Sequence, residues 1–292
     1  MQLIIELSKF TLYKHLKKYS DIAYFLVNYE GLSFNAFDAF SISEIETLFN
    51  MNVNLILNAE KLFSDKELEE VKGLLSTRIF DYVKYITYSD FGLKELLIEF
   101  GYEKKLIFRA PTYLTNHSDI NLYNQINEYV VVSTEISNEE LTGVLKNVNK
   151  PVIIDLFGKS TIFYSRRKLI TNYFKYRNLE YDSKKETYSV IEELRNDSMR
   201  IIENEAGSRI VEPHFHCLAE ELVNFENVCF GIISLESLNI KQSVAVVDAY
   251  INLLTNNNVE EFYNKLNEGK IDYYKGAYNI KSVLLKGGAC NE

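Results

Sequence analysis

Short runs rich in β-branched and aromatic residues recur along the chain, and between most of them the apolar positions fall at helical spacing. Eight runs stand out: Gln2–Glu6, Ile22–Asn28, Val53–Asn58, Tyr82–Thr87, Leu106–Arg109, Tyr129–Ser133, Val152–Leu156 and Cys229–Ser234. Several are almost continuously apolar, the pattern of strands covered on both faces. Their alternation with helical segments is the signature of βαβ units and a mostly parallel sheet. Helix starts are legible as well. Ser64 with Glu67 is a capping-box pattern opening a helix toward Leu75, and Ser137 with Glu140 opens one toward Val148. Ser43 precedes a third helix, and Asp90 is placed to cap a fourth over Leu93 to Phe100. Eight strand and helix pairs predict an α/β fold, a (β/α)8 TIM-type barrel of about 250 residues. An open doubly wound sheet would carry a Gly-rich first turn, which is absent.

One stretch breaks the rhythm. Between the seventh run and the eighth, Phe157 to Val228 is too long for a loop and one helix. We therefore expect a single barrel domain over 1–292 with an insertion over 159–215 after the seventh strand. Its first half, Ser165 to Asn178, reads as helix; its second half alternates as strand around Ala206-Gly207. In a barrel such a segment leaves the C-terminal end of a strand, the face where active sites form, so it is expected to cover the mouth.

Composition narrows the class. Hydrophobic residues at 47% and charged residues at 25% disfavour disordered, collagenous and disulfide-scaffold chains. Lys plus Arg 32 against Asp plus Glu 41 gives a net charge of -9, which argues against a general nucleic-acid coat protein and leaves room for a local basic patch. The three cysteines, Cys217, Cys229 and Cys290, are scattered with no CxxC pair, as expected of a reducing cytoplasm. Neither a signal-type N-terminal apolar core nor a membrane-length apolar stretch occurs, so a soluble protein without membrane contact is expected.

Candidate chemistry gathers at the strand ends, which supply Glu6, Asn28, Glu30, Asn58, Asp90, Arg109, Thr112, Thr134, Glu135 and Asp155. Acids converging from several strands would push one carboxyl pKa up and leave another ionised, as acid and base roles require. The plain alternative is that these residues cap turns and face water. The stretch from Tyr164 to Asn178 carries Arg166, Arg167, Lys168, Lys175 and Arg177 with no acid, interleaved with Tyr164, Tyr173, Phe174 and Tyr176. Such a mixture holds phosphate or carboxylate through guanidinium forks and stacks bases on its rings, so the Arg166–Arg177 segment is a candidate RNA contact. An amphipathic helix with solvated cations accounts for it equally well. Glu212-Pro213-His214-Phe215-His216-Cys217 offers metal-ligand chemistry, but four ligands in one short run would strain a tetrahedral site, and a strand end is the preferred reading. No GxSxG, HExxH or P-loop spacing is present.

An ordered set of motifs resembles the collagenase-like peptidases, peptidase family U32. Asp21-Ile22-Ala23-Tyr24-Phe25 with Ser33-Phe34-Asn35-Ala36 is similar to the family's first block, and Asn58 with Ser89-Asp90-Phe91-Gly92-Leu93 to its next ones. Ala110-Pro111-Thr112, Ser133-Thr134-Glu135-Ile136, and Tyr164-Ser165-Arg166-Arg167 through Thr171-Asn172-Tyr173 to Arg177-Asn178 continue the match. Val247-Asp248-Ala249-Tyr250 and Tyr274-Lys275-Gly276-Ala277-Tyr278 close it.

The resemblance implies a peptidase-like hydrolase with Asp90, Glu135 and Arg167 as catalytic groups, and Asn58, Arg109, Thr112, Tyr164, Asn172 and Arg177 contacting a peptide or small carboxylate. Departures from the family pattern point elsewhere. The family's His at the seventh strand is Phe157 here and a nearby Cys is Thr161. The cysteine that some members give to an iron–sulfur cluster is Lys168, and the family's Glu-Gly-Arg at the eighth strand is Ser234-Leu235-Glu236. Only Cys217 keeps a ligand position, so a four-thiolate cluster cannot be built, and neither metal nor cofactor is expected. Family members also support hydroxylation of tRNA, ribosomal RNA or quinone precursors, some as pairs of a long and a short subunit. The alternative implied is a non-proteolytic accessory barrel that pairs with a longer, cluster-bearing homologue.

Overall fold

Apolar runs become strands, and the spaced segments between them become helices. A computed structural model describes residues 1–34, 38–110, 113–181, 187–191 and 198–274. The first half runs β1 (Gln2–Glu6), α1 (Phe10–Leu16), β2 (Ile22–Tyr29), β3 (Ala39–Phe40), α2 (Ile42–Asn50), β4 (Leu55–Ala59), α3 (Asp65–Leu75), β5 (Tyr85–Tyr88), α4 (Phe91–Glu99) and β6 (Leu106–Phe108). It continues through α5 (His117–Ile126), β7 (Tyr129–Val130), α6 (Asn138–Leu145), β8 (Val152–Gly158), β9 (Thr161–Ser165), α7 (Leu169–Tyr176), β10 (Thr187–Ile191), β11 (Ser198–Asn204) and β12 (Gly207–Val211). The last elements are β13 (Phe215–Cys217), β14 (Val228–Ser234), α8 (Ile240–Asn256), α9 (Val259–Glu268) and β15 (Tyr273–Tyr274).

The fold is mixed α/β, built on a large, mostly parallel sheet. Its parallel row reads β8-β14-β1-β2-β4-β5-β6-β7. Past β7, Val131 forms a parallel bridge to Ile153 of β8, and the Val132 N–H donates to the Ile153 carbonyl at 2.9 Å. Because β14 takes one edge of β8, this bridge uses the other. Higher on that same edge, β13 pairs antiparallel with Phe157 and Gly158, and β15 pairs with β13. A second, antiparallel sheet has the order β10-β11-β12-β9 and lies between β8 and β13 in the chain.

The period of two along each strand sorts one face of the parallel row into layers. Near the strand starts Tyr24, Tyr85, Tyr129 and Phe230 touch edge to face in a closed cycle, with centroids 5.4 to 5.5 Å apart. Above them lie Ile4, Leu26, Ile56, Ile107, Val131, Ile153 and Ile232, all buried. Two residues further along the same strands, the same face turns polar: Glu6, Asn28, Asn58, Thr87, Arg109, Asp155 and Ser234. The opposite face packs on the helices and forms the larger core.

Helix starts follow local chemistry. Capping boxes form at Ser64 with Glu67 and at Ser137 with Glu140. The helix expected after Ser43 instead starts from Ser41, whose box partner is Glu44. The helix expected from Ser165 begins only at Leu169, because Tyr164 and Ser165 are held in β9 by pairing with Arg209 and Ser208 of β12.

Candidate functional site

The polar layer at the strand ends is a connected network. Asn28 Nδ2 donates to Glu6 Oε1 at 3.3 Å, Asn58 Nδ2 to Asn28 Oδ1 at 2.8 Å, and Thr87 Oγ1 to Asn58 Oδ1 at 2.7 Å. Ser33 ties the loop after β2 to the same point, donating to the Asn58 carbonyl at 2.5 Å. Arg109 stands among three acids: Asp155 at 3.0 Å, Glu60 at 3.6 Å and Glu6 at 3.8 Å. Burial works against the Arg109 charge, but Asp155, Glu60 and Glu6 together outweigh it and hold the guanidinium ionised. Burial also acts on Glu6 and prevails over the attraction of Arg109, pushing its carboxyl up to about 7. A carboxyl poised near neutrality inside a hydrogen-bonded chain can hold or release a proton at working pH.

Above this layer is a pocket of 530 Å³ between the strand ends and the antiparallel sheet. Phe34, Tyr113, Phe163 and Tyr164 give it aromatic walls, and Glu60, Ser89 and Arg209 add polar groups. Phe34 and Tyr164 meet edge to face at 5.0 Å, and the Arg209 guanidinium lies 5.3 Å over Phe34. Arg209 is itself anchored by Glu236, with Nη2 at 3.0 Å from both carboxylate oxygens. Apolar walls with a few convergent polar groups are the usual form of a small-ligand site.

The residues singled out from sequence divide among different settings. Asn58 and Arg109 belong to the buried network. Tyr164 lines the pocket, donates to the Ala206 carbonyl at 3.0 Å, and has its hydroxyl pKa raised by burial. Asp90 caps α4: Oδ1 accepts from the Leu93 N–H at 3.0 Å, and Oδ2 accepts from the Phe63 N–H at 3.1 Å. Glu135, Arg167, Asn172 and Arg177 are exposed, and Thr112 lies outside the described residues. In the basic stretch, Arg166 pairs with Glu67 at 2.6 Å and Lys168 with Glu205 at 2.7 Å. Arg167, Lys175 and Arg177 are exposed on and beside α7, with Tyr173 and Tyr176 at 56% and 83% exposure.

The model for peptidase family U32 matches residues 20–281. This chain belongs to that family. The tRNA hydroxylation protein P2 of Bacillus subtilis (strain 168) is 26% identical over 123 residues, a match spanning 40% of this chain and 40% of that protein. The chain thus aligns with well under two thirds of that relative. The solved structure of the U32 peptidase Mk0906 superposes with a TM-score of 0.47 at 11% identity, over 80% of this chain and 92% of that one.

Within family U32, the departures noted in the sequence take on a physical form. Two of the three cysteines are described, and they lie at opposite ends of the strands. Cys217 pairs with the upper part of β8 beside the Tyr250 hydroxyl, while Cys229 at the start of β14 donates to the Val152 carbonyl. Lys168 is engaged with Glu205. This donor set does not fit an iron–sulfur cluster. The carboxylate and guanidinium that the eighth strand lacks are both present from other positions, as the Glu236–Arg209 pair. An imidazole also reaches the upper end of β8, where the chain has Phe157: His216 of β13 lies opposite Gly158. Sequence reasoning missed Glu60 and Arg209, met His216 only as a metal-ligand candidate and Glu236 only as a departure from the family pattern, because each follows a strand end or belongs to a short strand whose register only the fold sets.

Proposed function

We propose that this U32 protein is a closed (β/α)8 barrel that binds RNA and acts as the accessory partner of a longer, cluster-bearing homologue. The observation that carries the reading is α7 and its flanks, where Tyr173, Tyr176, Arg167, Lys175 and Arg177 are all exposed on a chain of net charge -9. Rings that face water, with exposed cations in the same short segment, suit base stacking along a phosphate backbone. The named activity of the Bacillus relative, tRNA hydroxylation, supports RNA as the partner. The Val131–Ile153 bridge supports closure of the barrel, and Cys217 and Cys229, which stand as thiols and not in a disulfide, support a cytoplasmic setting. Fluorescence anisotropy with transfer RNA is expected to show binding that weakens steeply with salt and falls about tenfold or more in Lys175→Glu/Arg177→Glu. Binding that ignores salt and the double substitution overturns the reading. Co-purification with a longer homologue tests the partnership.

A second reading, a peptidase-like hydrolase, is favoured by the pocket at the strand ends, since Ser89 lines it and precedes Asp90. It assigns catalysis to Asp90, Glu135 and Arg167, and substrate contacts to Asn58, Arg109, Thr112, Tyr164, Asn172 and Arg177. Peptide cleavage by the purified protein, abolished in Glu135→Gln, is its test.

A further inference from the structure

The turn from β8 into β9 places a hydroxyl against an imidazole. Ser160 Oγ is 3.1 Å from His216 Nδ1. Ser160 is partly accessible, and the next residue, Thr161, lines the pocket. The serine is held on both sides. Its carbonyl accepts from the Glu212 N–H at 3.0 Å, and Lys159 Nζ donates to the Pro213 carbonyl at 2.7 Å. His216 is buried in β13, opposite Gly158. A Cβ at Gly158 would come 3.6 Å from the ring's Cε1, an ordinary contact, and 3.0 Å from the Ser234 Cβ, so the imidazole lies directly beside this position.

We propose that Ser160 and His216 are a nucleophile and general-base pair that cleaves activated esters of aromatic or apolar acids. A nucleophile in hydrogen-bond reach of a base that is itself fixed by the surrounding structure is the arrangement such chemistry needs. The backbone of Asp155 and Gly158 lies against the ring and favours a proton on it. In the tautomer that carries its proton on Nε2, Nδ1 accepts from the serine hydroxyl. Ser160 Oγ attacks the acyl carbon and its proton passes to Nδ1. The ester C–O bond breaks, and the leaving oxygen takes the proton back. Water, deprotonated in turn by Nδ1, then releases the acid and restores the hydroxyl, so ester plus water gives acid plus alcohol. The aromatic walls beside Thr161 suit an apolar acyl group.

The base is weak, which sets the substrate class. Burial lowers the His216 pKa to about 4, with Asp155 opposing and Arg109 adding to the shift. Groups facing the ring are Ser160, Asp155 and Gly158 from β8 and its turn, and Arg109 beyond β6. A base some three units below neutrality drives proton transfer poorly, so good leaving groups are required and ordinary amides are excluded.

The test uses the full chain with a fluorophosphonate probe and p-nitrophenyl butyrate. The expected result is a single phosphonylation at Ser160, with fluoride released. Ser160→Ala abolishes labelling and ester turnover, and His216→Gln slows both about a hundredfold. The wild-type rate is level above pH 6 and declines as pH falls toward 4. The thermal melting curve of Ser160→Ala, expected to match that of the wild type, checks that the fold survives substitution. Absence of wild-type labelling, or labelling that persists in Ser160→Ala or at full rate in His216→Gln, overturns the proposal. RNA affinity is expected to be unchanged in Ser160→Ala, so this proposal and the RNA reading fail separately.

Discussion

A carboxyl buried at the end of an apolar strand resists ionisation, and Glu6 is such a group. Its folded pKa, raised to about 7 by burial, exceeds that of the unfolded chain. The folded protein therefore holds the proton more tightly across that interval, and stability falls as pH rises through it, by about 1.4 kcal/mol per unit of separation. Glu6→Gln keeps the Asn28 contact without the charge. It is expected to melt higher than the parent at pH 8, with the gap closing toward pH 5 in thermal denaturation curves. His216 acts in the opposite sense: its lowered pKa means stability is lost as pH falls from about 6.5 toward 4. At this scale Asn58 and Arg109 are legible in sequence because a polar residue two places beyond an inward apolar one points to the same side. Arg209 with Glu236 and Ser160 with His216 are not. Each pair joins distant parts of the chain, and nothing local in either partner announces the other.

The antiparallel sheet depends on one tight point. Gly207 has φ +127 at the β11–β12 turn, and a Cβ there would fall 2.1 Å from the Ser165 carbonyl oxygen. Because the obstruction is backbone, β9 must move to admit it. Gly207→Ala is expected to destabilise this sheet by about 1–3 kcal/mol, read as faster hydrogen exchange across β9, β11 and β12 with the parallel strands unchanged. Since Arg209 and Tyr164 both come from these strands, the pocket wall should loosen with them. Elements were legible where their signals were local. Ser64 with Glu67 and Ser137 with Glu140 fix their helices within four residues. The start of α2 lies two residues before the expected one because Ser41 and Ser43 both suit a cap and each has a glutamate three residues on; Glu44 closes the box with Ser41, while Glu46 accepts from the Tyr82 hydroxyl instead. The start of α7 was misplaced by four because strand pairing, which has no local signature, claimed Ser165.

Over the whole molecule, the parallel strands separate stability from chemistry along their length. Aromatic rings occupy the starts, aliphatic side chains the middle and ionisable groups the ends. Phe230→Ala removes one ring of the four-membered cycle and is expected to cost about 3–5 kcal/mol in urea denaturation, while leaving RNA affinity at α7 intact. The parallel sheet was legible as a whole because eight apolar runs alternate with helical spacing. How β13 enters it was not, since three residues give too short a pattern to place. That strand has a consequence for association. β13 is hydrogen-bonded to β8 on one side and, among the described residues, is covered on the other by β15 and by the Asp272 carbonyl, which accepts from the Phe215 N–H at 3.1 Å. Ending the chain before Tyr273 would bare the backbone N–H and C=O groups of β13, a ready template for a strand from another molecule. Light scattering that rises with concentration in the truncated protein, and not in the full chain, would show that Tyr273 and Tyr274 guard the molecule against joining its neighbours edge to edge.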